Sequence, residues 1–328
     1  MWAAHKIDYR YYSKLSLLAL IIAAPLLIVT YFYGSNINEA SRWITIPVIN
    51  QTFQPSDLAK LALISYLASM LSKRQDKIGK QQDVMHDIKH ILLPIFGWTV
   101  AICSLIFLTN TSTAILLFVT CLLLMFIGRV PLKYLMAVVV VGTIFGGIAL
   151  AAGQRLGTAV SRVEDFMDPN ETPFQLEQSY IAIATGGVIG KGPGNSDQRD
   201  ILPHPYSDFI YSIIIEEYGL LGGAVVLFLY LALLYRGMVT VLNSRGAFGG
   251  LLSAGLSFSL VLQGMVNMAV AVGLGPITGL PLPLLSMGGT SLIFTGISLG
   301  IILSVSRNDR EAERAAVGEP IISKPVNA

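Results

Sequence analysis

Eight stretches of this chain are too long and too apolar to be stable in water. They cover roughly residues 15–33, 56–72, 91–108, 112–127, 133–151, 212–235, 249–272 and 286–305. A helical crossing of the bilayer core needs about 20 such residues. Backbone crossing lipid must satisfy its hydrogen bonds within itself. The pattern therefore predicts an all-α polytopic membrane protein with about eight transmembrane helices. Only 13% of the 328 residues are charged, against about 25% in soluble domains. The second and eighth stretches are shorter or more polar than the rest.

Loop charges orient the bundle, because basic residues collect on the cytoplasmic side. With the N-terminus inside, the inner segments hold Lys6, Arg10, Lys14, Lys73, Arg74, Lys77, Lys80, Lys89, Arg129, Lys133, Arg236, Arg245, Arg307, Arg310, Arg314 and Lys324, which is 16 of the 22 basic residues. Both termini are then cytoplasmic, and residues 34–54, 152–211 and 273–285 lie outside. This predicts one integral membrane domain over 1–307, with a large extracytoplasmic loop at 152–211 and a cytoplasmic, disordered tail at 308–328. The inner segment 73–89 reads as a solvated, topology-setting linker. Residues 1–14 lack a signal peptide and read as a linker between helices rather than a true beginning. Cys103 and Cys121 both fall in apolar stretches, which implies neither a disulfide framework nor a zinc site.

Four extracytoplasmic patches are unusual for a lipid-embedded chain. The first is Arg42-Trp43-Ile44 with Gln54-Pro55-Ser56-Asp57 and Lys60. Pro55 suits a first helical turn, with Ser56 or its predecessor as cap. Asp57 and Lys60 share a face and can pair, while Lys60 alternatively offers a cation to an anionic headgroup. Trp43 reads as an interfacial anchor. The second patch, Asn110-Thr111-Ser112-Thr113, reads as a tight polar turn. In the third, Arg162 precedes Phe166 and Pro169, an amphipathic surface helix is expected over 174–184, and a glycine-rich run occupies 186–195. That run lacks the strand-before, helix-after context of a nucleotide loop, so its glycines read as turns or as points of close approach to a ligand. The fourth patch, 275–291, is dense in Pro and Gly. Such backbone is tolerated at membrane depth only when buried in protein or lining a cavity; close helix packing is the alternative.

The long loop carries eight acids, of which Asp208 stands apart. It follows Pro203 and Pro205 and precedes an apolar helix. A carboxylate there is a candidate general base. Glu216 and Glu217 lie two turns deeper, where one can pair with a cation or carry a proton.

Together these patches resemble the SEDS family (FtsW, RodA and SpoVE) of polytopic glycosyltransferases. Family patterns align with Ser41-Arg42-Trp43-Ile44; with Gln54-Pro55-Ser56-Asp57 and Lys60; with Arg162, Phe166, Pro169, Gln175, Gln178, Ser179, Gly186, Gly187, Gly190 and Gly192; with 202–217; and with 278–291. The resemblance covers about 7–307 and is closer to FtsW, the division member, than to RodA. It implies polymerisation of peptidoglycan from lipid II in the bacterial cytoplasmic membrane, with Asp208 catalytic. Arg42, Lys60, Arg162 and Lys191 become candidates for holding pyrophosphate, helped by a divalent cation such as Mg or Mn if one binds. Trp43, Asp57, Gln175, Gln178, Ser179, Glu217 and Ser286 are further candidates for substrate binding. The implied partners are lipid II, a class B penicillin-binding protein and other divisome or elongasome proteins, with no nucleic acid.

The chain also departs from the family. Asp57 replaces the usual Glu, Thr109-Asn110-Thr111 stands where Gln-Pro-Asp is frequent, and His204 and Tyr206-Ser207 replace a Glu and a His-Thr pair. Family members carry ten spans, so the resemblance also implies that two N-terminal helices are missing, by truncation or a misplaced start. Two other classes stay open: a lipid II flippase and a non-catalytic scaffold for a penicillin-binding protein. Charge concentrated at the outer rim favours the polymerase, since a flippase needs charge through the full membrane depth.

Overall fold

In the computed structural model, residues 1–37, 40–46, 51–74, 93–152, 156–168, 172–203, 205–244 and 246–317 are described. All eight apolar stretches form helices. Following a short α1 (Trp2–Lys6), they are α2 (Arg10–Tyr33), α3 (Pro55–Arg74), α4 (Leu93–Thr109), α5 (Thr111–Ile127), α6 (Leu132–Ala152), α9 (Ile210–Asn243), α10 (Ala247–Ala271) and α11 (Thr290–Val317). Among the described residues α2, α6, α9, α10 and α11 are long and apolar enough to cross a membrane, and α4 and α5 are shorter apolar helices. The protein is a multi-pass membrane protein.

Its centre explains the weakest sequence signal. In α3, Ala59, Leu63, Leu67, Ala68 and Leu71 are fully buried, and Ser65 and Ser69 are buried with them. α3 packs against α2 and α10, and α10 packs against α9, α5 and α11. A helix surrounded by protein meets no lipid, so small and hydroxyl residues serve it better than bulky apolar ones.

Three differences from expectation follow. The chain before α3 is not plain loop: β1 (Ser35–Ile37), β2 (Ala40–Ile46) and β3 (Gln51–Phe53) form an antiparallel sheet in that order. Phe53 lies 6.0 Å from Phe294 of α11 and anchors one edge of the sheet. The last helix starts at Thr290 rather than 286. It also runs on to Val317, through the stretch expected to be disordered from 308, with Arg307 and Glu311 paired one turn apart at 3.6 Å. Within the long loop, apolar and polar residues separate most cleanly on α7 (Leu156–Met167), where Val160, Val163 and Met167 share a face. The stretch expected to be an amphipathic surface helix is α8 (Phe174–Gly186), and it is docked: Leu176, Ser179, Ala182 and Gly186 form a buried stripe against α9. Most of the 73–89 linker, from Gln75 onward, and the 318–328 tail lie outside the described residues.

Candidate functional site

The Asp208 rim is held from several directions. Asp208 is half-buried, and its Oδ1 accepts from the neighbouring Ser207 hydroxyl at 2.8 Å. Asn267 Nδ2 of α10 donates to the Asp208 carbonyl at 2.8 Å. Ser286 Oγ donates to the Ser207 carbonyl at 2.6 Å, and Met287 N donates to the Tyr206 carbonyl at 2.9 Å. Beneath them Leu202, Phe209 and Ile213 form a small apolar cluster with Ile277. Ser286 was a candidate to touch substrate; here its hydroxyl is spent on backbone, accepting also from Leu282 N at 2.7 Å.

The Pro- and Gly-rich segment after α10 is thus a clamp rather than a packing surface alone. Gln263 Nε2 donates to the Pro281 carbonyl and Asn267 Nδ2 to the Leu280 carbonyl, both at 2.8 Å, and the Tyr230 hydroxyl of α9 donates to the Pro283 carbonyl. Leu284 adopts φ 73°, a left-handed conformation rare for a bulky residue. Surroundings this densely bonded can hold such strain.

The first patch approaches through α3. Lys60 Nζ pairs with Asp57 Oδ1 at 2.8 Å, as the spacing predicts, and donates to Gln263 Oε1 at 3.4 Å. Asp57 is 4% exposed, and its Oδ2 has no partner among the described residues. The pair lines a small polar crevice of about 30 Å³ with Gln263, Ser291, Thr295 and Ser298. The helix cap is Gln54 rather than Ser56: Asp57 N donates to the Gln54 carbonyl at 3.1 Å, while Ser56 Oγ accepts from Gln54 Nε2 at 2.9 Å. Trp43 is half-buried on β2, and the Arg42 side chain lies outside what the structure describes.

The second patch caps α5, with Asn110 Oδ1 accepting from Thr113 N at 3.2 Å. Thr111 and Ser112 also line a largely apolar cavity of about 830 Å³, together with Arg162 of α7, Leu262 and Val266 of α10, and the 276–280 strand of loop. The second, third and fourth patches thus meet in one cavity, while the first lines the separate crevice that holds Gln263. A second apolar pocket of about 370 Å³ between α4, α5 and α6 shares Phe107, Ile115 and Leu150 with the first.

The glycine-rich run does something else. Two of its glycines, Gly186 and Gly190, lie against the backbone of α9. α9 is broken at Gly219, φ 72° and ψ −176°. The run docks in the break: Lys191 N and Gly192 N donate to the carbonyls of Glu216 and Glu217 at 2.9 Å, and Leu220 N donates to Gly187 O at 2.9 Å. A Cβ at Gly190 would collide with the Glu217 carbonyl, and one at Gly219 with the Val188 carbonyl.

Glu216 anchors this joint, whereas Glu217, the glutamate taken as a binding candidate, is half-buried beside it. The Glu216 side chain has no exposed surface and lies 2.6 Å from Lys191 Nζ. Its two oxygens also accept from Ser196 Oγ at 2.5 Å and from the N–H groups of Asp197 and Gln198 at 3.2 and 3.3 Å. Hydrogen bonds to Asp197 and then Glu216 hold the Lys191 ammonium above the ordinary lysine range. Lys191 is therefore paired with two carboxylates, with 27% of its side chain still exposed. Ser179 is likewise structural: its buried hydroxyl meets Ser212 Oγ at 2.5 Å and the Ala271 carbonyl at 2.6 Å. Gln175 and Gln178 are half-buried on α8, and His204 lies outside the described residues.

Sequence reasoning missed Gln263 and Asn267. The available signal was two amides one turn apart in an apolar helix, which membrane helices retain only when bonded. As for a divalent cation, no three of His, Cys, Asp or Glu converge as a cage among the described residues. Asp57 is neutralised by Lys60. The donor set around Asp208 does not by itself fit a resident metal.

Comparison with known proteins gives a consistent picture. A profile of the cell cycle protein family FtsW, RodA and SpoVE matches residues 1–311. A probable peptidoglycan glycosyltransferase FtsW of Haemophilus influenzae is 33% identical over 306 residues, spanning 92% of this chain and 75% of the relative. Stage V sporulation protein E of Bacillus subtilis is 31% identical over 314 residues, spanning 94% and 84%. Among solved structures, a chain of a peptidoglycan synthase complex that coordinates polymerization and crosslinking superposes with TM-score 0.69 at 27% identity, covering 93% of this chain and 84% of that one. The rod shape determining protein RodA of Thermus thermophilus gives TM-score 0.65 at 26% identity, covering 93% and 82%.

Proposed function

The chain belongs to the FtsW, RodA and SpoVE family of cell cycle proteins, and from that premise we propose that it is a peptidoglycan glycosyltransferase of septal wall synthesis, polymerising lipid II at the outer face of the bacterial cytoplasmic membrane. The observation that carries this reading is the Asp208 carboxylate: half-exposed, on a backbone pinned by Asn267, Ser286 and Met287, one amide side chain away from the wall of a large apolar cavity.

The chemistry follows from that placement. The 4-hydroxyl of the acceptor's terminal sugar attacks the anomeric carbon of the donor. Asp208 accepts the hydroxyl proton as the new C–O bond forms. The bond to pyrophosphate breaks, and its electron pair leaves with undecaprenyl pyrophosphate. That leaving group needs charge compensation more than an acid. We assign that role to Arg162 at the cavity and to Lys60, which faces one carboxylate, Asp57, whereas Lys191 is held between two, Glu216 and Asp197. The apolar cavity suits the isoprenoid tail. The basic-residue bias supports cytoplasmic termini and an outward-facing rim. Likeness to a chain of a peptidoglycan synthase complex supports a transpeptidase partner, a class B penicillin-binding protein.

The test uses the purified chain with lipid II, with and without that transpeptidase, beside Asp208→Ala. Glycan strands from the wild type and none from the variant are expected. Strands from the variant would remove Asp208 as the base. Headgroup movement across vesicles without polymer would favour the flippase reading, and inactivity in both assays with transpeptidase binding intact would favour the scaffold.

A further inference from the structure

We propose that Gln263 and Asn267, one turn apart on α10, form a positioning pair that fixes the Lys60 ammonium and the Asp208 segment relative to one another. The inference rests on the function proposed above and assigns a role to two residues that no motif singled out.

Both amides are buried, at 5% and 2% exposure. A buried amide in an apolar helix is costly unless bonded. These two are bonded to the site and to little else. Asn267 Nδ2 gives one hydrogen to the Asp208 carbonyl and the other to the Leu280 carbonyl, both at 2.8 Å. Both partners are acceptors, which fixes the amide's orientation. The two hydrogens of a planar NH₂ diverge at a set angle, so a single side chain locks two loop segments onto one helical turn. Gln263 repeats the device, accepting from Lys60 Nζ at 3.4 Å and donating to Pro281 at 2.8 Å. Lys60 thereby points between Asp57 and Gln263. Asn267 Oδ1 has no partner among the described residues, so this side chain is held by its donors alone.

The consequence is geometric. A base and a cation must flank one anomeric carbon, and a misplacement of about 1 Å can cost about a hundredfold in rate. Here both are referred to the same rigid turn of α10. Neither amide need touch the reacting atoms.

The test compares wild type with Asn267→Leu, Gln263→Met, Lys60→Met and the Lys60→Met/Gln263→Met double variant. It measures lipid II polymerisation, melting temperature and hydrogen exchange of the 282–287 amides. Asn267→Leu should lower kcat about 30-fold or more with KM within about twofold, and should speed exchange at Leu282, Ser286 and Met287 by about tenfold. Gln263→Met should lower kcat about tenfold alone, but less than about twofold once Lys60 is already Met. Equal effects of Gln263→Met in both backgrounds, or unchanged exchange in folded Asn267→Leu, would overturn the proposal. If Asn267→Leu fails to fold, the Gln263 comparison decides alone. Exchange does not require activity, so it reads the positioning role even in a chain that polymerises nothing. An inactive Asp208→Ala beside fully active amide variants would overturn this inference and leave the function standing.

Discussion

Glu216 and Asp208 lie eight residues apart on one stretch of chain, and the fold treats the two carboxylates in opposite ways. Glu216 is completely buried, and both of its oxygens are occupied by Lys191, Ser196 and two backbone N–H groups. Asp208 is half-buried, its backbone carbonyl is pinned, and among the described residues its carboxylate meets only the adjacent Ser207 hydroxyl. The first is a structural group whose lone pairs are used up. The second has a fixed main chain and a carboxylate with capacity left over. Asp208 lies just before α9 and Glu216 within it; the number of internal partners separates them.

Mutation can break this contrast at either end. The largest effect is expected at Asp208: replacement by Ala should cut polymerisation by about a thousandfold or more while the melting temperature stays within about 2 °C, because no internal network is lost. Glu216→Ala should do the reverse. It leaves Lys191 without its buried partner and should destabilise the chain by about 3–5 kcal/mol, read as a lowered melting temperature and protease cleavage within 187–200. Equal stability of the two variants would show that the buried network is not the anchor we take it to be. Gly219→Ala tests the joint without touching charge. A Cβ there meets the Val188 carbonyl at a φ that disfavours side chains, and should cost about 1–3 kcal/mol by chemical denaturation. The smallest effect is expected at Arg162, which is only half-buried beside the cavity. Arg162→Ala should raise KM for lipid II about fivefold with kcat nearly unchanged, and a larger loss in kcat would move Arg162 into the reaction itself.

Much of the fold was legible because lipid imposes length and composition on whatever faces it. All eight apolar stretches became helices, and the Asp57–Lys60 pair followed from helical spacing. What stayed hidden depends on partners far apart in the chain. Lys60 meets Gln263 across 203 positions and Ser286 meets Ser207 across 79, and no local pattern announces either contact. The glycines of 186–192 read as turns or as close approaches to a ligand; Gly186 and Gly190 instead approach the backbone of the chain's own broken helix. Lys191 looked like a free cation for the same reason: its partner Glu216 is 25 residues away. The sheet of β1, β2 and β3 was not legible because two of its strands are only three residues long and β2 mixes polar and apolar residues without strict alternation.

The cavity of about 830 Å³ has a practical consequence for anyone who extracts the protein. A space of that size with apolar walls accepts an alkyl chain as readily as an isoprenoid one. In a micelle the solubilising agent is present in vast excess over any lipid-linked sugar and competes for the same walls. Apparent affinity for substrate therefore becomes a property of the detergent as well as of the protein, and a nanodisc of short-tailed lipid is the medium in which Arg162 and Lys60 can be compared fairly.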